Sequence, residues 1–201
     1  MSDYYSGNYY LSLPQMQVNA RYLYGLLNAE GWTLNAIAGL LGNTQTESTH
    51  NPGITQSLKQ NPKLGYGLTQ WTPSTKYTNW CAERGLVWTR MESAVARLMF
   101  EVENPSEQWV VHDAYPMSFA EFIISEDSPY NLAMTFLNNY EMPGDLNQPK
   151  RGEQANYWYE FLSGEEPPEP PDHNPDRNLY THGKSILIPI LKRRRKYGKI
   201  K

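Results

Sequence analysis

A single glutamate, Glu47, has the setting expected of a catalytic acid. It lies where an apolar helical pattern ends, inside the polar sequence Asn43-Thr-Gln-Thr-Glu-Ser-Thr-His50. The negative end of the helix dipole and any apolar cover disfavour a carboxylate there, which suits a group that must donate a proton near neutral pH. A solvated surface glutamate is the competing interpretation, and this position alone does not decide between the two.

A glycine-punctuated segment, Gly65 to Pro73, has the residue types of a sugar-binding surface. Its sequence GYGLTQWTP combines open backbone, the Gln70 amide and the Trp71 indole. Aromatic faces pack against the C–H faces of sugar rings, while amides and backbone groups bond the hydroxyls. A turn with a core tryptophan is the alternative.

Other reactive residue types give weaker indications. His50 stands close to Glu47 but has no Cys or Ser partner at a suggestive spacing, so we expect a loop histidine. The single cysteine, Cys81, allows no internal disulfide and is expected in the core. The sequence has neither a zinc-binding Cys/His cluster nor a glycine-rich phosphate loop, so we expect no metal and no cofactor.

Two predicted helices position Glu47. Ser12 and Pro14 begin the first helix, and Gly31 ends it. Thr33 caps the second, whose apolar face runs toward Glu47.

The rest of the predicted domain is also mostly helical. Helices are expected at 74–84, 91–103, 118–125, 130–140 and 149–162. The helix at 91–103 is expected to turn four apolar residues inward: Val95, Leu98, Met99 and Val102. Gly and Pro punctuation between residues 51 and 73 predicts loops and a small β-hairpin around 68–72. The expected fold class is α+β, mainly α, with this loop or hairpin region beside a cleft.

Composition and charge divide the chain near Gly164. Hydrophobic residues make up 39% of the 201 residues, and 15 Tyr and 6 Trp add aromatic bulk, which is enough for a packed core. Residues 1–163 carry 9 basic and 16 acidic side chains, whereas residues 164–201 carry 9 basic and 5 acidic. Repeated prolines favour an extended spacer between the two parts. We therefore expect a globular domain at 1–164, a Pro-rich linker at 165–183 and a short, non-globular apolar-basic tail at 184–201.

Three sequence blocks together resemble those of the lysozyme-like lytic transglycosylases. They are Glu47-Ser48, the Gly67-Leu68-Thr69-Gln70-Trp71 stretch, and Ala133 to Tyr140 followed by Glu141. More closely, residues 11–164 are similar to the lysozyme domain of tail-tip proteins from small podovirus-like phages of Gram-positive bacteria, including GWTLNAIAGLLGN and NQPKRGEQANYWY. The resemblance implies a lysozyme-like fold and cleavage of the β-1,4 bond between N-acetylmuramic acid and N-acetylglucosamine in peptidoglycan.

The resemblance also implies roles for individual residues. Glu47 takes the position of the family's catalytic acid, and Ser48 would support its carboxyl. Gln70 would bond the sugar or the reacting region, and Tyr140 would face the acid from across the cleft. The other expected substrate-binding residues are Tyr66, Gly67, Leu68, Trp71 and Glu141.

The number of catalytic carboxylates stays open at this point. Residues 48–82 contain no Asp or Glu, so a second catalytic carboxylate is not expected from the hairpin. Either Glu47 acts alone or Glu141 activates water from another direction, and a salt-bridge or helix-end role for Glu141 is an equal alternative. Hydrolysis and closure of a 1,6-anhydro ring by the muramic acid 6-hydroxyl are both compatible with one acid.

The resemblance places the protein in a phage particle. We expect a virion enzyme of the tail or inner core that opens the cell wall locally during genome entry. Synthesis in the host cytoplasm is expected because residues 1–10 lack the features of a signal peptide. A structural tail or inner-core protein with a sugar-binding but inactive cleft, and a soluble lysis-stage endolysin, are the alternatives. Tail-tip relatives carry a following zinc-dependent peptidase domain, whereas this sequence continues into the linker and tail, so cutting of peptide cross-links is not expected.

Glycan strands of peptidoglycan are the expected substrate, and the tail suggests a second kind of partner. Seven of the residues in Lys192 to Lys201 are basic, and they follow the apolar run Ile186 to Leu191. Such a run can add as a strand to a sheet edge of another protein, which favours phage tail or inner-core proteins as partners of residues 184–201. Contact with nucleic acid or membrane through the basic residues, or a simply solvated tail, are the alternatives.

Overall fold

A computed structural model describes residues 3–164 of the chain, and this part is built almost entirely from helices. Its α-helices are α1 Leu13–Ala29, α2 Leu34–Ser48, α3 Thr75–Glu83, α4 Met91–Glu103, α5 Phe119–Ile123, α6 Pro129–Phe136 and α7 Pro149–Ser163. Within residues 3–164 no helix has the length and apolar character needed to cross a membrane. The predicted linker at 165–183 and the tail at 184–201 lie outside the described residues.

The first two helices begin and end at the residues that the sequence indicates. The backbone N–H of Ser12 donates to Gln15 Oε1 at 2.9 Å, which satisfies one free donor at the start of α1. The chain leaves α1 through Gly31, whose φ of 88° is favourable only for glycine. The Thr33 hydroxyl then accepts from the Ala36 N–H at 3.1 Å and caps α2.

The later helices agree with the predicted ranges except at the end of α6. The helix predicted at 130–140 divides into α6, which ends at Phe136, and a π-helical turn at Leu137–Glu141. A π-turn carries one more residue per hydrogen bond than an α-turn, so it changes the direction in which the following side chains point. The turn therefore sets the orientation of Tyr140 and Glu141.

Helix α2 is the centre of the domain, with α6 and α7 packed against it. Two glycines allow this close approach. A Cβ atom on Gly39 would lie 2.8 Å from Leu132 Cβ of α6, and one on Gly42 would lie 2.3 Å from the Arg151 carbonyl oxygen of α7. Because α2 is enclosed on these sides, its last turn is held firmly against α7, and that turn carries Glu47.

The predicted β-hairpin is not present. Residues 3–164 contain only isolated antiparallel bridges, and two of them, Thr55 to Tyr66 and Tyr66 to Trp71, lie in the region where the hairpin was expected. Gly67 and Gln70 both have left-handed backbone angles, with φ of 77° and 52°, and these angles curl the chain into a turn before a ladder can form. The mainly helical character is confirmed, and the β component reduces to this bridged turn.

Candidate active site

A cleft of about 320 Å³ opens beside the carboxyl end of α2. Four parts of the chain form it: residue 10, the last turn of α2, residues 54–57 with 70–72, and the end of the π-turn. The residues that line it are Tyr10, Thr46, Glu47, Ile54, Thr55, Gln56, Ser57, Gln70, Thr72, Glu141 and Pro143. The cleft therefore brings together three of the residues singled out in the sequence: Glu47, Gln70 and Glu141.

Glu47 is held by an arginine from α7. Its side chain is 21% exposed, and Oε1 accepts a hydrogen bond from Arg151 Nη2 at 2.6 Å. Arg151 is itself fixed, since it also donates to Asn43 Oδ1 at 3.1 Å and to Gln148 Oε1 at 2.7 Å. A buried guanidinium with partners on three sides has little freedom to move. Arg151 was not among the expected site residues, although it lies in the NQPKRGEQANYWY block that carries the resemblance.

Glu141 enters the cleft from the end of the π-turn and has a different environment. Its Oε1 atom is buried and has no hydrogen-bond partner among the described residues. Burial raises the pKa of Glu141 well above its usual range, and the neighbouring negative charge of Glu47 raises it further, while Arg151 acts in the opposite direction. The carboxyl groups of Glu47 and Glu141 are therefore electrostatic neighbours, and the charge of Arg151 acts on both.

The turn at residues 65–72 is fastened to the end of α2. The Ser48 hydroxyl lies within hydrogen-bond distance of two carbonyl oxygens, those of Leu68 at 2.7 Å and Thr44 at 3.1 Å. On the other side of the turn, the Gly67 N–H donates to the Ile54 carbonyl at 2.9 Å. Ser48 was expected to support the Glu47 carboxyl, and the structure instead shows it joining α2 to this turn.

Gln70 lines the cleft and carries a buried acceptor atom without a partner among the described residues. Its Nε2 donates to the Gly67 carbonyl at 2.8 Å, which fixes the orientation of the amide. The other amide atom, Oε1, is buried and has no hydrogen-bond partner among the described residues. A buried acceptor left unpaired is costly, and a ligand that donates a hydrogen bond would remove that cost.

Trp71 does not form a wall of the cleft. Its side chain is 2% exposed, its ring stacks on Tyr77 at 4.3 Å, and its Nε1 donates to Glu101 Oε1 at 3.0 Å. Tyr66 and Leu68 are also buried. The expectation that these three side chains contact sugar therefore conflicts with their burial, and the alternative of a core tryptophan describes Trp71 correctly.

The Tyr140 side chain also packs in the core. It is 1% exposed, its ring stacks on Phe136 at 4.4 Å, and its hydroxyl donates to Glu101 Oε2 at 2.5 Å. Burial raises the pKa of Tyr140 well above its usual range, so the phenol stays neutral. The resemblance implies a position across the cleft from Glu47, whereas the Tyr140 side chain packs in the core and is not among the residues that line the cleft.

The buried partner of Trp71 and Tyr140 is Glu101, a residue that the sequence did not single out. Its Oε1 also accepts from Arg97 Nε at 2.8 Å, one helical turn away on α4. Burial raises the pKa of Glu101, while the charge of Arg97 opposes that rise. Glu101 therefore joins α4, the 65–72 turn and the π-turn beneath the cleft.

The described residues provide no evident metal centre. Residues 3–164 contain no group of three or more His, Cys, Asp or Glu side chains that could hold a metal ion. His50 is fully buried, and its Nδ1 lies 2.8 Å from the Thr44 hydroxyl. Cys81 is buried as well.

The chain is similar to known phage proteins. A sequence model described as phage tail lysozyme matches residues 18–162. Morphogenesis protein 1 of Bacillus phage B103 is 51% identical over 162 residues, which cover 80% of this chain and 44% of that protein. This chain therefore spans less than half the length of that relative. Since the family match covers most of the chain and includes every residue of the carboxyl pair and its arginine, the protein belongs to the phage tail lysozyme family.

Proposed function

We propose that residues 1–164 form a muramidase domain that cleaves the β-1,4 bond between N-acetylmuramic acid and N-acetylglucosamine in peptidoglycan. The observation that carries this proposal is the carboxyl pair in the cleft. Both side chains are half-buried, but Glu47 is held by Arg151, whereas the Oε1 atom of Glu141 is buried and has no hydrogen-bond partner among the described residues. Carboxyl groups whose environments differ in this way are typical of glycosidase sites.

In this proposal Glu47 is the general acid. The raised pKa of Glu141 favours a proton on the pair, and a proton on two interacting carboxyl groups is available to both of them. Glu47 is the member that Arg151 holds in place and that keeps contact with the cleft, so Glu47 delivers the proton to a bound glycan. Loss of positive charge at Arg151 would release this carboxyl from its fixed position and disturb the delivery.

The proposed reaction begins with proton transfer from Glu47 to the glycosidic oxygen. The bond between that oxygen and the anomeric carbon breaks, and positive charge develops on the muramic acid ring. An oxygen nucleophile then attacks the anomeric carbon, and its proton returns to the Glu47 carboxylate. The nucleophile is water in hydrolysis and the sugar's own 6-hydroxyl in 1,6-anhydro formation.

Glu141 is not proposed as the base that activates water. A general base must be ionised to accept a proton, and burial raises the pKa of Glu141 well above its usual range, which disfavours the ionised form. An inverting attack assisted by Glu141 is therefore not part of the proposal. Its proposed role is to hold a proton beside Glu47.

Gln70 is proposed to orient the sugar. Its unpartnered Oε1 is an acceptor at the cleft, and its Nε2 is already occupied by the Gly67 carbonyl. The amide therefore presents one acceptor of fixed direction. A sugar hydroxyl or acetamide N–H would satisfy it.

The biological setting is proposed from the relatives. The family is one of phage tail lysozymes, and the B103 relative is named a morphogenesis protein. We propose that this protein is a virion component that opens the wall locally during genome entry. Copy number in purified particles tests that part, since a soluble lysis enzyme would be absent from them.

Digestion of purified peptidoglycan tests the chemistry. Glu47→Gln should lower the rate by roughly 10²- to 10⁴-fold, the usual contribution of general acid catalysis. Glu153→Gln is the matched control because Glu153 lies on the exposed face of α7, two residues from Arg151. Mass analysis of the products separates hydrolysis from the 1,6-anhydro outcome, whose product lacks one water. A Glu47→Gln protein that clears peptidoglycan at the control's rate would remove Glu47 as the acid, and the same assay on residues 1–164 tests the proposed domain.

A further inference from the structure

The segment before α1 is held across the loop that follows Glu47. We call residues 3–10 the N-terminal strap. Two fully buried amides hold its backbone. Asn19 accepts from the Tyr5 N–H and donates to the Tyr5 carbonyl, both at 2.8 Å. Asn51 donates to the Gly7 and Tyr9 carbonyls, both at 2.7 Å. Buried amides that use their hydrogen-bonding capacity on one segment fix its position.

The strap also contacts the wall of the cleft. Asn8 Oδ1 accepts from the Thr55 N–H at 3.0 Å and from its hydroxyl at 2.8 Å, and Thr55 lines the cleft. The strap passes so close to Gly53 that a Cβ atom there would lie 2.6 Å from Ser6 Oγ and 2.7 Å from the Gly7 nitrogen. The path of the strap is therefore defined on both sides of Asn8.

Tyr10 follows Tyr9, whose carbonyl accepts from Asn51, and it lines the cleft. The next residue, Leu11, is buried, and its N–H donates to the Thr49 hydroxyl at 2.9 Å, two residues after Glu47. Tyr10 itself is 58% exposed, the largest value for any large apolar side chain in residues 3–164. It is also the one aromatic residue among those that line the cleft in this part of the chain.

This position suits an aromatic ring that awaits a sugar. Trp71, Tyr66 and Tyr140 are buried, so they present no free ring face to the cleft. Tyr10 presents an exposed side chain on a fixed backbone, in the cleft that Glu47 and Thr46 also line. A phenol combines an apolar face for sugar C–H groups with a hydroxyl that tolerates water. Tyr10 also lies outside residues 18–162, the part that the family match covers.

We propose that Tyr10 forms a subsite in which its ring stacks on a pyranose ring of a β-1,4-linked N-acetylated amino-sugar strand. This proposal rests on the proposed muramidase function and deepens it. The subsite binds the strand beside the carboxyl pair and does not take part in the chemistry. Its loss therefore weakens binding and raises KM, while kcat changes little.

Binding to a soluble chitin hexasaccharide tests the subsite without turnover. Calorimetric titration uses the full chain carrying Glu47→Gln, with and without a second change. Adding Tyr10→Ala should weaken the affinity by about three- to tenfold, the range expected for loss of one aromatic contact. Adding Tyr10→Phe should keep the affinity within about twofold, because stacking needs the ring and not the hydroxyl.

Tyr9→Ala is the matched control. Tyr9 belongs to the same strap and is 42% exposed, but it does not line the cleft. Its removal should leave the affinity unchanged. Thermal melting of each variant checks folding, and no loss is expected for Tyr10→Ala because the Tyr10 side chain is exposed.

Steady-state kinetics on peptidoglycan separate this proposal from the proposed function. An active protein in which Tyr10→Ala changes neither KM nor hexasaccharide affinity overturns the subsite and leaves the muramidase proposal intact. An inactive protein whose hexasaccharide binding still depends on the Tyr10 ring overturns the muramidase proposal and retains the subsite. A Tyr10→Phe variant that binds the hexasaccharide as weakly as Tyr10→Ala would refute stacking. An unaltered chain that neither binds the hexasaccharide nor cuts peptidoglycan would refute it as well.

Discussion

His50 lies three residues after Glu47. Its burial makes the free energy of unfolding of the domain sensitive to acid. The imidazole is fully buried, with its ring edge-on to Trp158 at 4.7 Å and its Nδ1 at 2.8 Å from the Thr44 hydroxyl. Its Nε2 has no hydrogen-bond partner among the described residues. Burial lowers the pKa of His50 to about 3, because a charged imidazolium would lose its hydration there.

The size of the effect follows from the difference between the folded and unfolded states. In an unfolded chain histidine has a pKa of about 6.5, so below that pH the unfolded state binds a proton that the folded state does not. The free energy of unfolding therefore falls as the pH decreases from about 6.5 toward about 3. At pH 5, about 1.5 below the pKa of the unfolded histidine, His50 should remove about 2 kcal/mol of stability relative to pH 7.5.

His50→Asn isolates this contribution. His50 has a left-handed backbone with φ of 59°, and asparagine tolerates that region better than most residues. The variant should be less stable than the unaltered protein at pH 7.5, since it packs less well against Trp158. The difference between the two free energies of unfolding should shrink by about 2 kcal/mol at pH 5, because only the unaltered protein carries the histidine.

Urea unfolding followed by tryptophan fluorescence at pH 7.5, 6 and 5 measures these differences. Other titrating groups, including Glu101 and Glu141, are present in both proteins and cancel in the comparison. His112→Asn is the control, because His112 is exposed and its replacement removes a histidine without disturbing the core. A His50→Asn difference that stays within about 0.5 kcal/mol from pH 7.5 to pH 5 would refute the burial argument.

Two further predictions concern the carboxyl pair and its support. The pKa of Glu141 is higher in the folded state than in the unfolded state, so the folded state binds the proton more tightly. The contribution of Glu141 to the free energy of unfolding therefore declines as the pH rises above about 4.3, the pKa of an unfolded glutamate. In urea unfolding, the free energy of unfolding of Glu141→Gln relative to that of the unaltered protein should therefore increase from pH 4 to pH 8. If the difference between the two free energies were the same at both pH values, the pKa of Glu141 would not be raised. Gly42→Ala should cost about 1 to 3 kcal/mol because the added Cβ would lie 2.3 Å from the Arg151 carbonyl oxygen, whereas Gly144→Ala, with open space around it, should cost little. Equal melting temperatures for these two variants would contradict the close packing of α2 on α7.

The helices were predictable because their signals are local. Ser12 with Gln15, and Thr33 with Ala36, are three residues apart, and both caps act as the sequence indicates. Apolar periodicity gives the rest, since helical neighbours recur every three or four residues. The change to a π-turn at Leu137 has no comparable local signal in the sequence.

The support of Glu47 could not be predicted from spacing. Arg151 lies 104 positions away along the chain, and it reaches Glu47 because glycine at position 42 lets α7 approach α2. A pair of this kind depends on the packing of two helices rather than on a motif. The sequence block around Arg151 contributed to the family resemblance without indicating which atom it contacts.

The inward face of α4 shows a second reason why sequence patterns do not predict every buried residue. Of the four apolar residues expected to point inward, Val95 and Leu98 are buried, while Met99 and Val102 are only half-buried. Arg97 and Glu101 are buried instead. Hydrophobic patterns assign charged residues to the solvent, so they miss a charged pair that is satisfied inside the core.

Glu101 and Glu141 both carry buried carboxyl oxygens, but the surroundings of these oxygens differ. Glu101 has its charge opposed by Arg97 and accepts from Trp71 and Tyr140, so its oxygens are satisfied and its burial serves packing. Glu141 has one oxygen without a partner among the described residues and a second carboxyl as its neighbour. An arrangement that raises the free energy of the folded state without a packing benefit persists where a ligand or a reaction uses it. Glu141 lines the cleft together with Glu47, whereas Glu101 does not line it. The carboxyl group with an unpartnered oxygen among the described residues is therefore the one in the cleft.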